Sequence, residues 1–382
     1  MSEKLGQYFT TDVGLKEKLY SFILNNPKRI LEPSSGRGDL VEFISEKMET
    51  AVEFDMFEID DSIEFLDSID IEKICFQDFL EADIPRKYDT IVGNPPFVRT
   101  KSGNLYIDFT EKCFNLLKPK GEIVFIIPSD FFRLTSACKL LGEMMAAGNF
   151  THIYRPNNEK LFKDASIDVV VFRYAKDSSL DRKTIYNGET KYAKNTEGLV
   201  TFHDTPGTKL EYFKDYFEIY VGIVSGKDQV FKNDIGNIEV LNGNKKKDTY
   251  ICLRKFPSDN KEINEHLLSH KEELLSRKIR KFNETNWFEW GALRNVSIVE
   301  ENIGKPCIFI HNLTRKKEVA FLGKVGYFGG GLLMLLPKKD CDLRKVVLFL
   351  NSNSFQNNFI YSGRFKIGQR QLVNSYLEIS HV

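Results

Sequence analysis

A chain of 382 residues is too long for one ordinary hydrophobic core, so its length predicts two domains. With 42% apolar and 28% charged residues the composition is that of a soluble globular protein, and its longest apolar runs are too short to span a bilayer. The N-terminus lacks a signal-peptide pattern, and six scattered cysteines without CxxC spacing disfavour a disulfide framework and a zinc cluster. We therefore expect a cytoplasmic protein with no membrane partner and no metal.

The formal net charge of zero hides an uneven distribution. Residues 206–382 carry 28 Lys and Arg against 20 Asp and Glu, whereas residues 1–205 carry 26 against 34. The imbalance is either a solvated surface of no special purpose or a basic half that meets phosphate. Charge alone leaves both interpretations open.

The first half of the chain alternates short β-branched runs with amphipathic helical patterns. Predicted strands are KRILE (28–32), AVEFDMFEI (51–59), EKICFQ (72–77), KYDTIVG (87–93), GEIVFIIP (121–128), FTHIYR (150–155) and IDVVVFRY (167–174). Predicted helices cover 39–48, 106–118 and about 129–147. Strands separated by helices indicate a doubly wound, mostly parallel α/β sheet. No helix separates the last two strands, which are therefore predicted to pair antiparallel at one edge.

The rhythm changes after residue 174. A polar, hairpin-like stretch leads to HDTPGTK (203–209), and we place a domain boundary there, giving domains 1–205 and 206–382. The second domain is predicted to be α+β, with one charged helix at 261–281 and short strands between Gly- and Asn-rich turns.

Three acidic residues stand at the ends of the first three predicted strands. Glu32 precedes the glycine-rich turn PSSGRG, in which Gly36 allows close backbone approach to a ligand, and Glu58 and Asp78 end the next two strands. Each acid alone could simply face water, and the turn could be a packing turn, since it lacks GxGxxG and a P-loop Lys. Together, at the edge where open α/β sheets bind ligands, the acids suit a nucleoside that carries an amine.

The fourth strand runs into Asn94-Pro95-Pro96-Phe97. Two prolines fix φ twice and make the turn stiff. The Asn94 side-chain oxygen and the Pro95 carbonyl are then two acceptors aimed at one spot, which suits an exocyclic amine, and Phe97 offers a face to a flat base. The plainer interpretation is a stiff turn with a buried Phe.

In their order along the chain these motifs resemble those of S-adenosylmethionine-dependent DNA adenine-N6 methyltransferases of the type II modification kind. The resemblance covers roughly residues 5–175 and rests on GQYFTT (6–11), LEPSSGRG (31–38), FEID (57–60), QDF (77–79), GNPPF (93–97) and LFKDASIDVVVF (161–172). It implies a seven-stranded Rossmann-like methyltransferase sheet with its last strand antiparallel, followed by a C-terminal target recognition domain.

The resemblance also implies roles for individual residues. The cofactor would be held at its methionine end by Thr10 and Glu32 with the Ser34–Gly36 turn, at its ribose by Glu58, and at its adenine by Asp78 and Phe79. Asn94 would contact the cofactor as well as the target base. The base itself would be held by Asn94, Pro95, Pro96 and Phe97, with Phe162 on its other face.

The implied partner is double-stranded DNA, from which the target base must be flipped out. We expect a monomer, and a separate cognate restriction endonuclease is a further possible partner. For DNA contact the second domain offers Trp287, Trp290, Arg364, Lys366, Gln369 and Arg370, because Arg and Gln can pair bidentately with base edges. The alternative is that the two tryptophans are core, which is the more common place for such a cluster. Enzymes that methylate an amine in RNA or a protein glutamine share the Asn-Pro-Pro turn, and a catalytically silent relative is the remaining alternative.

Overall fold

The structure of the protein is a computed structural model that describes residues 8–100, 103–156, 158, 160–162, 167–206, 211–243 and 245–377. Residues 6–7 of GQYFTT and 163–166 of LFKDASIDVVVF lie outside the described residues. The chain divides into two compact units, one of Met1–Thr208 with Tyr361–Gly363 and one of Lys209–Ile360 with Arg364–Val382. Each unit has its own hydrophobic core.

The first unit is an α/β sandwich of helices around a central sheet. Its helices are α1 (Val13–Ser21), α2 (Asp39–Lys47), α3 (Leu105–Leu116) and α4 (Cys138–Ala147), with short 3₁₀ turns at Ile71–Lys73, Phe131–Arg133 and Thr135–Ala137. Its strands are β1 (Arg29–Glu32), β2 (Glu53–Glu58), β3 (Ile74–Phe76), β4 (Tyr88–Gly93), β5 (Leu117–Pro128), β6 (Asn149–Tyr154), β7 (Val169–Ala175), β8 (Lys183–Tyr186), β9 (Glu189–Thr196) and β10 (Leu199–His203).

The sheet has the order β10-β9-β8-β6-β7-β5-β4-β1-β2-β3. Strands β1 to β5 pair in parallel, and β7 runs antiparallel to both β5 and β6. The predicted α/β class and the antiparallel last strand of the methyltransferase core are confirmed. The predicted number of strands was too low, because three further strands extend the sheet from seven to ten. These strands pair beyond β6, so β6 and β7 do not form the edge of the sheet as predicted.

The three extra strands come from the polar stretch that was predicted only as hairpin-like. Strands β8 and β9 join through Asn187 and Gly188, both with positive φ (48° and 87°), and β9 and β10 join through Glu197 and Gly198 (49° and 78°). Two-residue turns with φ > 0 at both positions match the twist of antiparallel strands. Parallel pairing of β8 with β6 then joins this meander to the main sheet.

Apolar side chains of the central strands point alternately to the two faces of the sheet, and helices pack on both faces. In β5, Phe125 packs on the face that carries α3 and α4, whereas Val124 and Ile126 pack on the face that carries α1 and α2. Successive side chains of a strand point to opposite faces, so a continuous apolar run such as IVFII fills two cores. The predicted helix at 129–147 is shorter than expected, because two 3₁₀ turns precede α4.

After residue 208 the chain forms antiparallel sheets and short helices, the α+β arrangement predicted for this part. The helices are α5 (Phe213–Tyr216), α6 (Asp228–Phe231), α7 (Lys261–Ser269), α8 (Lys271–Leu275), α9 (Val296–Asn302), α10 (Leu343–Leu350), α11 (Asn353–Gln356) and α12 (Gln369–Val373), with a 3₁₀ turn at Asn357–Phe359. The strands are β11 (Glu211–Tyr212), β12 (Phe217–Val221), β13 (Ile238–Leu241), β14 (Lys247–Tyr250), β15 (Pro306–His311), β16 (Leu313–Thr314), β17 (Ala320–Lys324), β18 (Leu332–Pro337), β19 (Ile360–Tyr361), β20 (Arg364–Lys366) and β21 (Tyr376–Leu377).

The largest sheet of the second unit has the order β12-β18-β15-β17 and is antiparallel throughout. The charged helix predicted at 261–281 is interrupted after Ser269 and ends at Leu275. The Ser269 hydroxyl donates to the His266 carbonyl at 2.7 Å, a side-chain bond that competes with the helical backbone ladder. Among the described residues, no helix has the length and apolar character needed to cross a membrane.

Candidate active site

A cavity of about 280 Å³ opens at the carboxyl ends of the parallel strands of the first unit. Seven of the residues singled out from the sequence line it, namely Ser34, Gly36, Glu58, Asp78, Phe79, Asn94 and Pro96. They come from the segments that follow β1, β2, β3 and β4, which lie side by side in the sheet. Thr10, Glu32, Pro95, Phe97 and Phe162 are not part of its wall.

Glu58 is buried and held by backbone donors. Its two carboxylate oxygens accept from the N–H groups of Gly36 (2.9 Å), Ile59 (2.9 Å) and Asp60 (3.0 Å). These contacts fix the carboxylate between the glycine-rich turn and the end of β2. Since each carboxylate oxygen has two acceptor sites and Oε1 already accepts from Ile59 and Asp60, one site remains on Oε2 for a ligand hydroxyl.

Glu32 lies behind the wall, at the end of β1, with 1% of its surface exposed. Burial raises the pKa of Glu32 to about 8, and the negative charge of Glu58 raises this pKa further. The Ser34 N–H, which donates to Glu32 Oε1 at 3.1 Å, acts in the opposite direction and lowers the pKa. A Cβ on Gly93 would lie 2.9 Å from Glu32 Oε1, so only glycine at the end of β4 leaves room for this carboxylate. A buried carboxyl of this kind is stabilised in its charged form by a cationic amine.

Asp78 opens a tight turn after β3. Its Oδ1 accepts from Leu80 N at 2.8 Å, and its carbonyl accepts from Glu81 N and Ala82 N at 3.1 and 3.0 Å. Phe79 is 2% exposed, with its ring 5.2 Å from that of Phe109. The turn thus presents a carboxylate and the edge of an aromatic cluster to the same cavity.

The amide of Asn94 is oriented by the segment that precedes α1. Asn94 Nδ2 donates to the Tyr8 carbonyl at 2.7 Å and to Thr10 Oγ1 at 3.0 Å. The reverse orientation would set the amide oxygen against the Tyr8 carbonyl, two acceptors facing each other. Asn94 Oδ1 is left buried, and within the described part of the chain it has no hydrogen-bond partner. An orphaned buried acceptor is costly, so this atom is set up to receive a donor from a ligand.

Around Phe97 the rings are packed together. Tyr8 stacks on Phe97 with centroids 5.6 Å apart and 29° between planes, and Phe162 meets Phe97 edge-on at 5.8 Å. A base sandwiched between two rings needs about 7 Å, twice the spacing of about 3.4 Å between stacked bases. Phe162 is 3% exposed and has no open face here, so its predicted stacking role requires this cluster to open.

Sequence reasoning missed Tyr8. It lies in the GQYFTT motif, but only Thr10 of that motif was given a role, and Tyr8 lines the cavity beside Asn94. The available signal was an aromatic residue two positions before Thr10, a spacing that puts it next to whatever Thr10 contacts.

Trp287 and Trp290 do not form a DNA-binding surface, contrary to the prediction. They are 3% and 2% exposed and belong to a core cluster of the second unit. Trp290 Nε1 donates to the Ile251 carbonyl at 2.7 Å, and Trp287 packs against Phe256 at 4.9 Å. The core interpretation of this Trp-Phe-Trp run is the right one, because large aromatic surfaces gain most from burial.

The remaining candidates for DNA contact sit close together in the second unit. Arg364 and Lys366 are exposed on β20, and Gln369 and Arg370 begin α12. Gln369 is exposed as well, and its Nε2 donates to the Ile219 carbonyl. Arg370 is half-buried and is therefore less accessible than the other three side chains.

Residues 42–162, which include β2 to β4 and the Asn94 turn, match the family model of the Eco57I restriction-modification methylase. This part of the chain is similar to an Eco57I restriction-modification methylase domain. The match confirms the resemblance to modification methyltransferases that the motifs indicated.

Relatives of the methylase domain are named type II methyltransferases. M.HincII of Haemophilus influenzae is 29% identical over 217 residues, which are 51% of this chain and 42% of the relative. M.MjaIV of Methanocaldococcus jannaschii is 26% identical over 231 residues, 50% of this chain and 76% of the relative. The chain thus spans about two fifths of the length of the first of these relatives.

Among solved structures, the type IIL restriction-modification enzyme MmeI in complex with DNA is similar in fold. The TM-score is 0.57 at 12% identity, and the similarity covers 98% of this chain and 64% of that one. The likeness extends the shared fold beyond the methylase domain to nearly the whole chain.

Proposed function

We propose that this protein is a site-specific DNA methyltransferase that transfers a methyl group from S-adenosylmethionine to the N6 amine of adenine. The observation that carries the proposal is the buried Asn94 Oδ1, which is unpartnered among the described residues and belongs to a residue that lines one cavity with Glu58 and Asp78. The match of residues 42–162 to the family model and the names of the relatives support the same reaction class.

The residues that line the cavity, with Glu32 behind its wall, suit S-adenosylmethionine. Glu32, with its pKa raised to about 8, would take the amine of the methionine end, Glu58 the ribose hydroxyls and Asp78 the adenine amine. Bound S-adenosylmethionine supplies an electrophilic methyl group on its sulfonium. Gly93 leaves the space that the Glu32 carboxylate needs.

The chemistry required of the protein is mainly positioning. The adenine amine is a poor nucleophile because its lone pair is delocalised into the ring. Asn94 Oδ1 and the Pro95 carbonyl would each accept one amine hydrogen, which favours a tetrahedral nitrogen with a localised lone pair. The same two dipoles stabilise the positive charge that develops on the nitrogen during transfer.

A base within a duplex cannot reach this cavity, so the target adenine must be flipped out. Phe97 offers it a stacking face once Tyr8, which covers that ring at 5.6 Å, moves aside. We assign target recognition to the second unit, where Arg364 and Lys366 present positive charge on one strand. We further propose that the protein acts as a monomer and modifies the sites of a separate cognate restriction endonuclease.

The test is to incubate the purified protein with methyl-labelled S-adenosylmethionine and mixed-sequence duplex DNA, then to digest the DNA to nucleosides. We expect the label in N6-methyldeoxyadenosine. Label in another deoxynucleoside would contradict the choice of adenine. Parallel reactions with RNA and with a glutamine-containing protein complete the design, because label appearing only there would contradict DNA as substrate. Cofactor and DNA binding without transfer would indicate a catalytically silent relative.

A further inference from the structure

Lys112 of α3 makes an unusual set of contacts with the turn after β3. Its ammonium donates to the carbonyls of Phe79 (2.5 Å), Leu80 (3.0 Å) and Ala82 (2.5 Å). An ammonium has three N–H bonds, so all of its donors are used on this one turn. The charge also lies 5.0 Å from the centre of the Phe79 ring.

The turn resembles a single turn of helix. Asp78 caps its start through Oδ1 and its carbonyl accepts from Glu81 N and Ala82 N, as the first carbonyl of a helix does. The carbonyls at the other end of so short a segment have no next turn to bond with. Lys112 satisfies three of them, and positive charge at this end is favoured for the same reason as at a helix C-terminus.

We propose that Lys112 is a positioning residue that sets the affinity for the adenosine half of the cofactor by holding the Asp78–Leu80 turn. Asp78, Phe79 and Leu80 line the cavity, whereas Lys112 does not. It therefore acts on the ligand only through the turn. This inference rests on the proposed function, because it names the cofactor that the cavity binds.

The reason is that Lys112 holds the carbonyls at the far end of the turn, whereas Asp78 and the buried Phe79 ring hold its start. The carboxylate that would accept the adenine amine is that of Asp78, the first of the three residues in this turn. Removal of the ammonium leaves three carbonyls in a half-buried region without their donor, which favours other conformations of the loop. The loop must return from these other conformations to the observed one when the ligand binds. The free energy of that change weakens binding.

Lys176 provides a matched control. Its ammonium also donates to backbone carbonyls, those of Phe114 (3.0 Å) and Leu117 (3.2 Å), and lies 4.4 Å from the centre of the Phe114 ring. Its contacts lie at the C-terminal end of the same helix, α3, just beyond Lys112, and Lys176 is not part of the cavity wall. It reproduces the type of interaction without touching the turn at Asp78.

The experiment measures dissociation constants of S-adenosylmethionine and of 5′-methylthioadenosine, which lacks the amino-acid end, by calorimetry on the full chain. The proteins are wild type, Lys112→Met, Lys112→Arg and Lys176→Met, with thermal unfolding of each recorded alongside. We expect Lys112→Met to weaken both ligands by the same factor, about tenfold. Arg can still donate to two carbonyls, so Lys112→Arg should recover part of the affinity.

Lys176→Met should lower the unfolding temperature without changing either dissociation constant. The inference is overturned if Lys112→Met binds both ligands within twofold of wild type, or if Lys176→Met loses as much affinity. It is also overturned if only S-adenosylmethionine is weakened, since the effect would then lie at the methionine end. If Lys112→Met does not fold, Lys112→Arg decides the question. An affinity of Lys112→Arg equal to that of wild type would contradict the proposal, which expects only partial recovery. Failure of the wild-type protein to bind either ligand would instead refute the proposed function itself.

Discussion

Asn94 shows how one side chain can be both anchored and left incomplete. Its two N–H donors are satisfied by Tyr8 and Thr10, while its oxygen has no partner among the residues that the structure describes. The two hydrogen bonds fix the rotation of the amide. The oxygen remains an unsatisfied acceptor that a ligand donor can satisfy. Preorganised dipoles of this kind act without a reorganisation cost during the reaction.

Replacement of Asn94 by Ala is therefore expected to lower methyl transfer by about 10² to 10³-fold, since one of two acceptors for the target amine is removed. Affinity for S-adenosylmethionine should stay within a few-fold of wild type, because the acids that hold the cofactor are unchanged. Single-turnover transfer and calorimetric binding separate the two effects. Retained turnover would remove Asn94 from the reaction.

Thr10 contacts Asn94, although its predicted role was in cofactor binding. Thr10→Val keeps the shape and removes the acceptor for Asn94 Nδ2, whereas Thr10→Ser keeps the hydroxyl. We expect the Val variant to lose about tenfold in turnover, the value of one hydrogen bond of about 1.4 kcal/mol, and the Ser variant to resemble wild type. If the Val variant loses only cofactor affinity, Thr10 acts on the cofactor rather than on Asn94.

At the scale of elements, β20 shows the alternation of a half-buried strand. Phe365 is 2% exposed and packs in the core of the second unit, whereas Arg364 and Lys366 on either side of it are exposed. Period-two geometry thus puts both basic side chains on one face. The pairing of β20 with β16 fixes that face relative to the core.

The double variant Arg364→Gln/Lys366→Gln should bind mixed-sequence duplex DNA more weakly and with a shallower salt dependence. Removing one ion pair between the protein and a phosphate lowers the slope of log K against log [salt] by about 0.9. Anisotropy titrations at several KCl concentrations measure it. The control Arg344→Gln/Lys345→Gln removes the same charges from the exposed start of α10. Equal slopes for both variants would mean that β20 makes no special contact with DNA.

Elements also show the limit of local pattern. The Trp-Phe-Glu-Trp run at 287–290 is compatible with a stacking surface for bases and with a buried core, because both kinds of site use aromatic residues. Burial decides between them, and burial depends on β13, β14 and α7, which bring Tyr250 and Ile263 into the same cluster from other parts of the chain. No window around the tryptophans contains that information.

At the scale of the whole molecule, Glu32 connects the site to stability. Its carboxyl lies at the end of β1, in the middle of the parallel strands, and its pKa of about 8 is far above the unfolded value of 4.5. A raised carboxyl pKa means that the folded state holds the proton more tightly. Its contribution to stability is complete below pH 4.5 and is lost as the pH rises towards 8.

The free energy of unfolding of wild type relative to Glu32→Gln should therefore fall between pH 5 and pH 8, by at most about 1.4 kcal/mol per pH unit. The difference isolates Glu32 from buried histidines such as His203, whose lowered pKa gives the opposite trend. Saturating S-adenosylmethionine should reduce the fall, because its amine stabilises the ionised carboxyl. Chemical denaturation at each pH gives the values, and parallel curves for the two proteins would contradict a protonated Glu32.

The sequence by itself determined the α/β class, the antiparallel last strand of the predicted seven-stranded core and the placement of Glu58, Asp78 and Asn94 around one cavity. It could do so because hydrophobic period and turn residues are local, and parallel strands bring their carboxyl ends to a common edge. Only the tertiary structure decided that three more strands join the sheet, that Trp287 and Trp290 are core, that Tyr8 covers Phe97 and that Lys112 holds the turn at Asp78. Those outcomes depend on contacts between segments far apart in the chain, whose free energies no local window contains.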